Sequence, residues 1–276
     1  MQPFFSVIIP TLEEEEYIPR LLNDLYAQND KSFEVIVVDG GSKDQTVTQV
    51  SEFLDKLPLQ IEISPKANVS MQRNLGAAKA RGEYLVFFDA DARIPPRFLN
   101  LIHKYLTNYN RDYLTTYIFA DSRNVYDKAV ERLINISIEI GLLIDRPFVV
   151  GANFMVTKTA FYKVGGFREE IKHSEDYDLA YRLHQAGYSL GILKTPRLVF
   201  SLRRYRHEGR LKVLRKNAQA VLHLLTHGQI TQDLFDYPMG GAIYRLKQKT
   251  QITPLALKKA QLYIRKFITS LWSELK

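Results

Sequence analysis

Residues 4–39 read FFSVIIPTLEEEEYIPRLLNDLYAQNDKSFEVIVVD. Residues 4–9 and 34–38 are short, β-branched apolar runs that end in turn-forming or polar residues, as strands buried on both faces of a parallel sheet do. Between them, residues 14–28 set Ile18, Leu21, Leu22 and Leu25 three and four positions apart, which is one face of a helix. Strand, helix, strand in that order predicts a crossover unit. The rhythm continues outward with a helix over 44–56, a strand over 60–64, a helix over 70–80 and a strand over 84–88. Beyond Asp91 it loosens into a helix after Pro95-Pro96, a strand over 113–119, a helix over 125–142, a strand over 153–156 and a helix over 176–185. The alternation predicts an α/β protein with a Rossmann-like, mixed but mainly parallel sheet flanked by helices. Residues 1–200 would form the main domain and 201–276 a helical, basic C-terminal extension, broken near 237–241. In such open sheets, ligands bind beyond the carboxyl ends of the strands, so the polar residues after each strand carry the functional signal.

The 276 residues are 46% hydrophobic and 25% charged, which excludes a disordered or fibrous chain. There is no cysteine, so disulfides, cysteine-ligated zinc, iron–sulfur clusters and thiol nucleophiles are excluded. The opening residues run straight into the first strand, and 133–151 is interrupted by Glu139, Asp145 and Arg146, so neither a leader nor a spanning helix is expected and the cytoplasm is the expected location. The formal charge of +8 is uneven: residues 201–276 hold 15 Lys/Arg against 4 Asp/Glu. Residues 254–276 add an amphipathic, basic pattern, with Leu257, Ile264, Phe267, Ile268, Leu271 and Leu275 along one side. Packing on its own domain is one use of such a helix; peripheral contact with the inner face of a membrane is the other.

Five segments carry polar residues where chemistry is expected. They are Ser6-Val-Ile-Ile-Pro10-Thr11-Leu-Glu13-Glu14-Glu15; Val37-Val38-Asp39-Gly40-Gly41-Ser42-Lys43-Asp44; Arg73-Asn74-Leu-Gly76; Phe87-Phe88-Asp89-Ala90-Asp91; and Gly151-Ala-Asn153 with Gly165-Gly166-Phe167 and Ser174-Glu175-Asp176. Two carboxylates two residues apart after an apolar strand suit a hard divalent cation shared with substrate phosphates. A carboxylate at a helix start can act as a general base, or with Ser174 it can simply cap the helix. Asp44 and the acidic run at 13–15 likewise read as helix N-terminal residues favoured by the helix dipole.

Taken together, the five segments resemble the family 2 glycosyltransferases of the GT-A fold over residues 4–200, with Glu13 and Gly40 departing from the family pattern. The resemblance implies an inverting, metal-dependent transfer of a sugar from a nucleoside diphosphate sugar, a UDP- or GDP-sugar, to a hydroxyl on a saccharide or lipid-linked acceptor. It implies that Pro10, Thr11, Glu14, Asp39, Arg73 and Asp89 bind the donor nucleotide, with Asp39 reading the base. Asp91, with Asp89, would hold Mg²⁺ or Mn²⁺. Asp176, with Glu175, would be catalytic, Asp176 as general base. Arg203, Arg204 and His207 are candidate diphosphate contacts, with a plain basic surface cluster as the other reading. The Gln-x-x-Arg-Trp signature of processive synthases is missing, so a single addition is expected. Two other readings are a non-catalytic or nucleotidyl-transferring relative, and an anionic-membrane or nucleic-acid binder driven by the basic tail. No nucleic-acid recognition motif supports the latter.

Overall fold

The structure, a computed structural model, describes residues 2–244; the basic amphipathic stretch 254–276 lies outside the described residues. Seven strands form one sheet: β1 (Phe5–Thr11), β2 (Phe33–Asp39), β3 (Leu59–Ile63), β4 (Tyr84–Phe88), β5 (Tyr113–Ala120), β6 (Asn153–Thr157) and β7 (Leu190–Phe200). Their order is β3-β2-β1-β4-β6-β5-β7, and only β6 runs antiparallel to its neighbours. The helices are α1 (Ile18–Tyr26), α2 (Thr46–Ser51), α3 (Val69–Lys79), α4 (Phe98–Tyr109), α5 (Val125–Leu143), α6 (Lys158–Lys163), α7 (Glu175–Gln185), α8 (Arg203–Glu208) and α9 (Arg210–Thr226).

The continuous apolar strands are buried on both faces because alternate side chains enter two different cores. Val7, Ile9, Val35 and Val37 face α1 and α4, meeting Leu21, Leu25, Phe98 and Ile102. Ile8, Ile36 and Val38 face the other way, onto Ala77 of α3 and the side occupied by Phe161, Leu179 and Leu183. Each fully buried Ile or Leu of this kind contributes about 1.5–3 kcal/mol. Gly76 lets α3 lie close on β1: a Cβ there would stand 2.4 Å from Ile8 Cγ2.

Four expectations need correction. The first helix begins at Ile18, not residue 14, because residues 14–17 form the turn that Pro19 then carries into α1. The second helix is confined to 46–51, with turns after it. A whole strand, β7, was not expected at all. Its 190–200 run holds Gly191, Lys194, Thr195, Pro196 and Arg197, which break the apolar signal, yet it pairs in parallel with β5 along most of its length. The non-helical break in the C-terminal part is also wider, running from His227 to Gly241. Helices α8 and α9 pack against the main body, where Leu202, Tyr205 and Val213 share a small core with Ala120 and Val130.

Candidate active site

Every expected site segment reaches the carboxyl edge of the sheet. Thr11 and Asp39 are register partners at the ends of β1 and β2, and Asp89 follows the last residue of β4. Because β6 runs the other way, its first residue, Asn153, lies opposite Phe88, which brings Gly151 to the same edge. β5 and β7 end side by side at Ala120 and Phe200, and Arg203 follows three residues later. The strand order reverses between β1 and β4, so the crevice expected for a ligand opens there.

Helix α3 positions three of its side chains against three parts of the site. Its start is capped by Asn68, whose side chain accepts from Met71 N at 2.9 Å. Gln72 Nε2 donates to the carbonyls of Thr11 and Val38, both at 2.8 Å, and so ties the ends of β1 and β2 together. Asn74 donates to Phe167 O at 2.8 Å and accepts from Phe167 N at 3.0 Å, which holds the Gly165-Gly166-Phe167 turn. Arg73, between them, is buried and reaches across the crevice: Nη1 donates to Glu175 at 2.7 Å and Nη2 to Asp89 at 3.0 Å. One guanidinium thus joins the strand-end acid to the start of α7.

Asp39 is 1% exposed, and four donors converge on its carboxylate: Thr11 Oγ1, Gly41 N, Ser42 N and Ser42 Oγ. A carboxylate has about four lone-pair sites. In this arrangement it shapes the β2 loop, and reading a base would require it to exchange one of those partners. Pro10 lies inside β1 opposite Val38 and offers no polar side chain to a ligand.

A second arginine closes the other half of the acidic cluster. Arg203 forks onto Glu14, with Nη1 at 2.8 Å and Nη2 at 2.5 Å, and its Nε is 2.8 Å from Asp91 Oδ2. The rings of Tyr17 and Tyr244 lie 4.5 Å and 4.8 Å from its guanidinium carbon. Burial pushes Glu14 up to about 7 even with Arg203 beside it, and burial also raises Asp91, with Asp89 adding to the effect. Arg204 lies over the Tyr237 ring at 3.6 Å and donates to Tyr244 Oη at 2.8 Å, and His207 meets Tyr244 edge-on. All three candidate diphosphate contacts are therefore engaged with residues 237–244 or with acids.

Asp176 is the second residue of α7. Burial pushes it up to about 7, the neighbouring Glu175 adds to the rise, and Arg73 opposes it. Its Oδ1 accepts from Tyr177 N at 2.8 Å, and Gly151 packs against its other oxygen, where a Cβ would be only 2.9 Å away. The capping alternative for Ser174 is not what the structure holds: the residue is left-handed, with φ of 64°, and its hydroxyl lies 2.7 Å from His173 Nδ1 instead of bonding the helix start.

The donor set fits a hard divalent cation that arrives with phosphate. Asp89 and Asp91 supply carboxylate oxygen, and a cationic group already sits against Asp91. Among the described residues, no three His, Asp or Glu side chains are set to hold a metal by themselves. Such an ion would therefore take the rest of its oxygens from the donor or water. The sequence reading missed Gln72, Tyr17 and Tyr244. Gln72 was legible, since it precedes Arg73 on the site-facing side of a helix; the two tyrosines had no local signal.

A family profile described as "Glycosyl transferase family 2" matches residues 6–165. The poly(ribitol-phosphate) beta-N-acetylglucosaminyltransferase TarS of Staphylococcus aureus is 27% identical over 208 residues, covering 72% of this chain and 36% of that protein. A Methanococcus voltae dolichyl N-acetyl-alpha-D-glucosaminyl phosphate 3-beta-D-2,3-diacetamido-2,3-dideoxy-beta-D-glucuronosyltransferase is 27% identical over 218 residues, covering 72% of this chain and 66% of that protein. The chain thus spans about a third of TarS. Among solved structures, TarS 1-349 in complex with UDP-GlcNAc superposes with a TM-score of 0.59 at 24% identity, over 71% of this chain and 58% of that one. Mannosyltransferase PcManGT of Pyrobaculum calidifontis, in complex with GDP-Man and Mn²⁺, gives 0.60 at 21%, over 80% and 65%. At these identities the structural likeness establishes the fold.

Proposed function

The chain belongs to glycosyl transferase family 2, and on that premise we propose that it moves a sugar from a nucleoside diphosphate sugar to a hydroxyl acceptor, with inversion and one addition per acceptor. The observation that carries this is Arg73, which ties Asp89 on the donor side to Glu175 beside Asp176 on the acceptor side. Acids from distant parts of the chain thereby share one crevice.

In this reading Asp176 takes the proton of the attacking hydroxyl. A base with its pKa near the working pH combines a useful ionised fraction with driving force for proton transfer, and Asp176 is pushed up to about 7. Glu175, held by Arg73, fixes the start of α7 and with it the base. Thr11, Asp39 and the Gly40-Gly41 turn line the nucleoside end through the loop they build. Asp91, with Asp89, would hold Mg²⁺ or Mn²⁺, whose chemistry is to neutralise the diphosphate leaving group. The donor is a UDP- or GDP-sugar, the two classes present in the complexes of the structural relatives. The acceptor is a saccharide or lipid-linked hydroxyl, in keeping with the names of the relatives.

No helix among the described residues is long and apolar enough to cross a membrane. Peripheral membrane contact, and with it a cytoplasmic location at an inner membrane face, remains a proposal drawn from the pattern of 254–276. The test of the activity is calorimetry with UDP and GDP, with and without Mn²⁺, followed by a turnover assay. Binding of neither nucleotide overturns the reading.

A further inference from the structure

The position of Arg203 has a consequence for how donor and cation load. The reasoning rests on the functional reading above, in which Asp91 serves a cation that accompanies a nucleoside diphosphate. Arg203 is the first residue of α8, directly beyond the end of β7, and its side chain bridges two acids from opposite sides of the crevice. Glu14 receives both terminal nitrogens, and Asp91 receives Nε. The side chains of Glu14, Asp91 and Arg203 are 8%, 15% and 13% exposed, so this is a nearly enclosed cluster and not a surface pair.

Asp89 stands two residues before Asp91, but its own cationic partner is Arg73. Arg203 is therefore the cation that neutralises Asp91. A metal ion on Asp91 would stand close to the guanidinium that already holds Oδ2, and the two cations repel, so each weakens the other's hold on the carboxylate. Tyr17 and Tyr244 cover the guanidinium from ring distances of 4.5 Å and 4.8 Å, an environment suited to a flat, weakly hydrated cation. The segment that carries Tyr244 is held close to the same place: Gly241 N donates to Leu12 O at 2.9 Å, and a Cβ on Gly241 would meet Glu13 O at 2.2 Å.

We propose that Arg203 is a placeholder for the divalent cation, holding Asp91 and Glu14 in the donor-free protein and transferring to the diphosphate when donor and ion arrive together. A diphosphate offers the paired anionic oxygens that a guanidinium fork matches, and the long side chain can leave its acids without moving α8. Free metal then binds poorly because it must displace Arg203 unaided. Metal and nucleotide each strengthen the other, as reciprocal coupling requires.

The experiment uses the full chain and Mn²⁺ alone, with free ion followed by electron paramagnetic resonance and folding checked by circular dichroism. Arg203→Gln is expected to bind Mn²⁺ at least about 10-fold more tightly than the parent protein without nucleotide, within the usual span of coupling effects. Adding Asp91→Asn to that variant should abolish the gain. Arg203→Lys, which keeps the charge but lacks the planar fork that takes both Glu14 oxygens while Nε holds Asp91, should show a smaller gain and covers the case in which the glutamine variant does not fold. Equal Mn²⁺ affinity in the parent and both Arg203 variants, or a gain that survives Asp91→Asn, overturns the proposal. A thermal-shift series with UDP and GDP runs alongside. Absence of any nucleotide effect with the Mn²⁺ gain intact sinks the functional reading and the transfer to diphosphate, leaving only the competition of Arg203 with the cation at Asp91, whereas nucleotide binding without the gain sinks the placeholder and leaves the functional reading standing.

Discussion

Burial, with Glu175 beside it, pushes Asp176 up to about 7. If it is the base, kcat/KM should rise with pH and level off above an apparent pKa near 7, since only the ionised form accepts a proton. Asp176→Asn should lower kcat by about 10²–10⁴-fold, the usual worth of a positioned base, while calorimetry shows nucleotide affinity unchanged. Wild-type turnover in that variant removes the assignment. Arg73 has a different kind of importance. Its guanidinium is buried between Asp89 and Glu175, so Arg73→Met strands two acids in a poorly solvated place. Breaking a buried pair by removing one partner costs about 3–5 kcal/mol; Asp89 is partly exposed, so urea unfolding should show a loss toward the lower end. A loss below about 0.5 kcal/mol, the scale of an ordinary surface change, contradicts this account of Arg73.

Among the elements, β6 brings the acceptor-side segment to the site. As the antiparallel strand it starts at the carboxyl edge and sets Gly151 against the Asp176 carboxylate. Gly151→Ala puts a methyl 2.9 Å from Asp176 Oδ2, so the base must shift. Misplacement of about 1 Å at a reacting group can cost around 10²-fold, and turnover should fall by at least about 10-fold on that basis while the melting temperature changes little. Gly82→Ala should show the opposite balance. There the new Cβ meets the backbone of Phe5 and Ser6 at 2.6–2.7 Å, which leaves no flexible side chain to give way. The cost should reach about 1–3 kcal/mol or more, as overpacking does, visible as a lower denaturation midpoint. If Gly151→Ala keeps full activity, the close approach to Asp176 is incidental.

Over the whole molecule, the raised acids set the direction of the pH–stability curve. Glu14 and Asp176 have folded values of about 7 against ordinary values of 4.5 and 3.8. Between roughly pH 4 and pH 7 the folded chain therefore binds more protons than the unfolded chain, and stability falls as pH rises through that window. Glu34 and Asp127 act in the other sense. Hydrogen bonds from Ser6 and Arg81 overcome burial at Glu34, those from Arg210, Ser122 and Arg206 do so at Asp127, and both acids are lowered. Their contribution is present above the ordinary values of 4.5 and 3.8 and is lost as pH falls through the lowered ones. Scanning calorimetry should place maximal stability at mildly acidic pH, with a decline toward pH 8. Asp176→Asn should flatten that decline and raise stability at pH 8 relative to the parent protein. A parent curve that rises from pH 5 to pH 8 would contradict it.

Much of the fold was legible because buried parallel strands and amphipathic helices write their environment into local periodicity. Residues 5–11, 33–39 and 84–88 announced themselves in that way, and the polar residues that follow them stood out by contrast. The candidate acids Glu14, Asp39, Asp89 and Asp91 were visible for the same reason, while Glu175 and Asp176 stood at a helix start and took their role from the family resemblance. β7 was not, since a strand rich in Gly, Lys, Pro and Arg acquires its identity from pairing with β5, whose register partners lie 77–80 residues earlier in sequence. Nor could local pattern reveal that Arg73 would span Asp89 and Glu175, or that Arg203 would close on Glu14 and Asp91. Local pattern was enough to mark six of the seven described strands and the acids that follow them, whereas the match of each acid to its cation belongs to the tertiary fold. Charge pairing depends on distance through space, and residues 14, 91 and 203 become neighbours only after the sheet has formed.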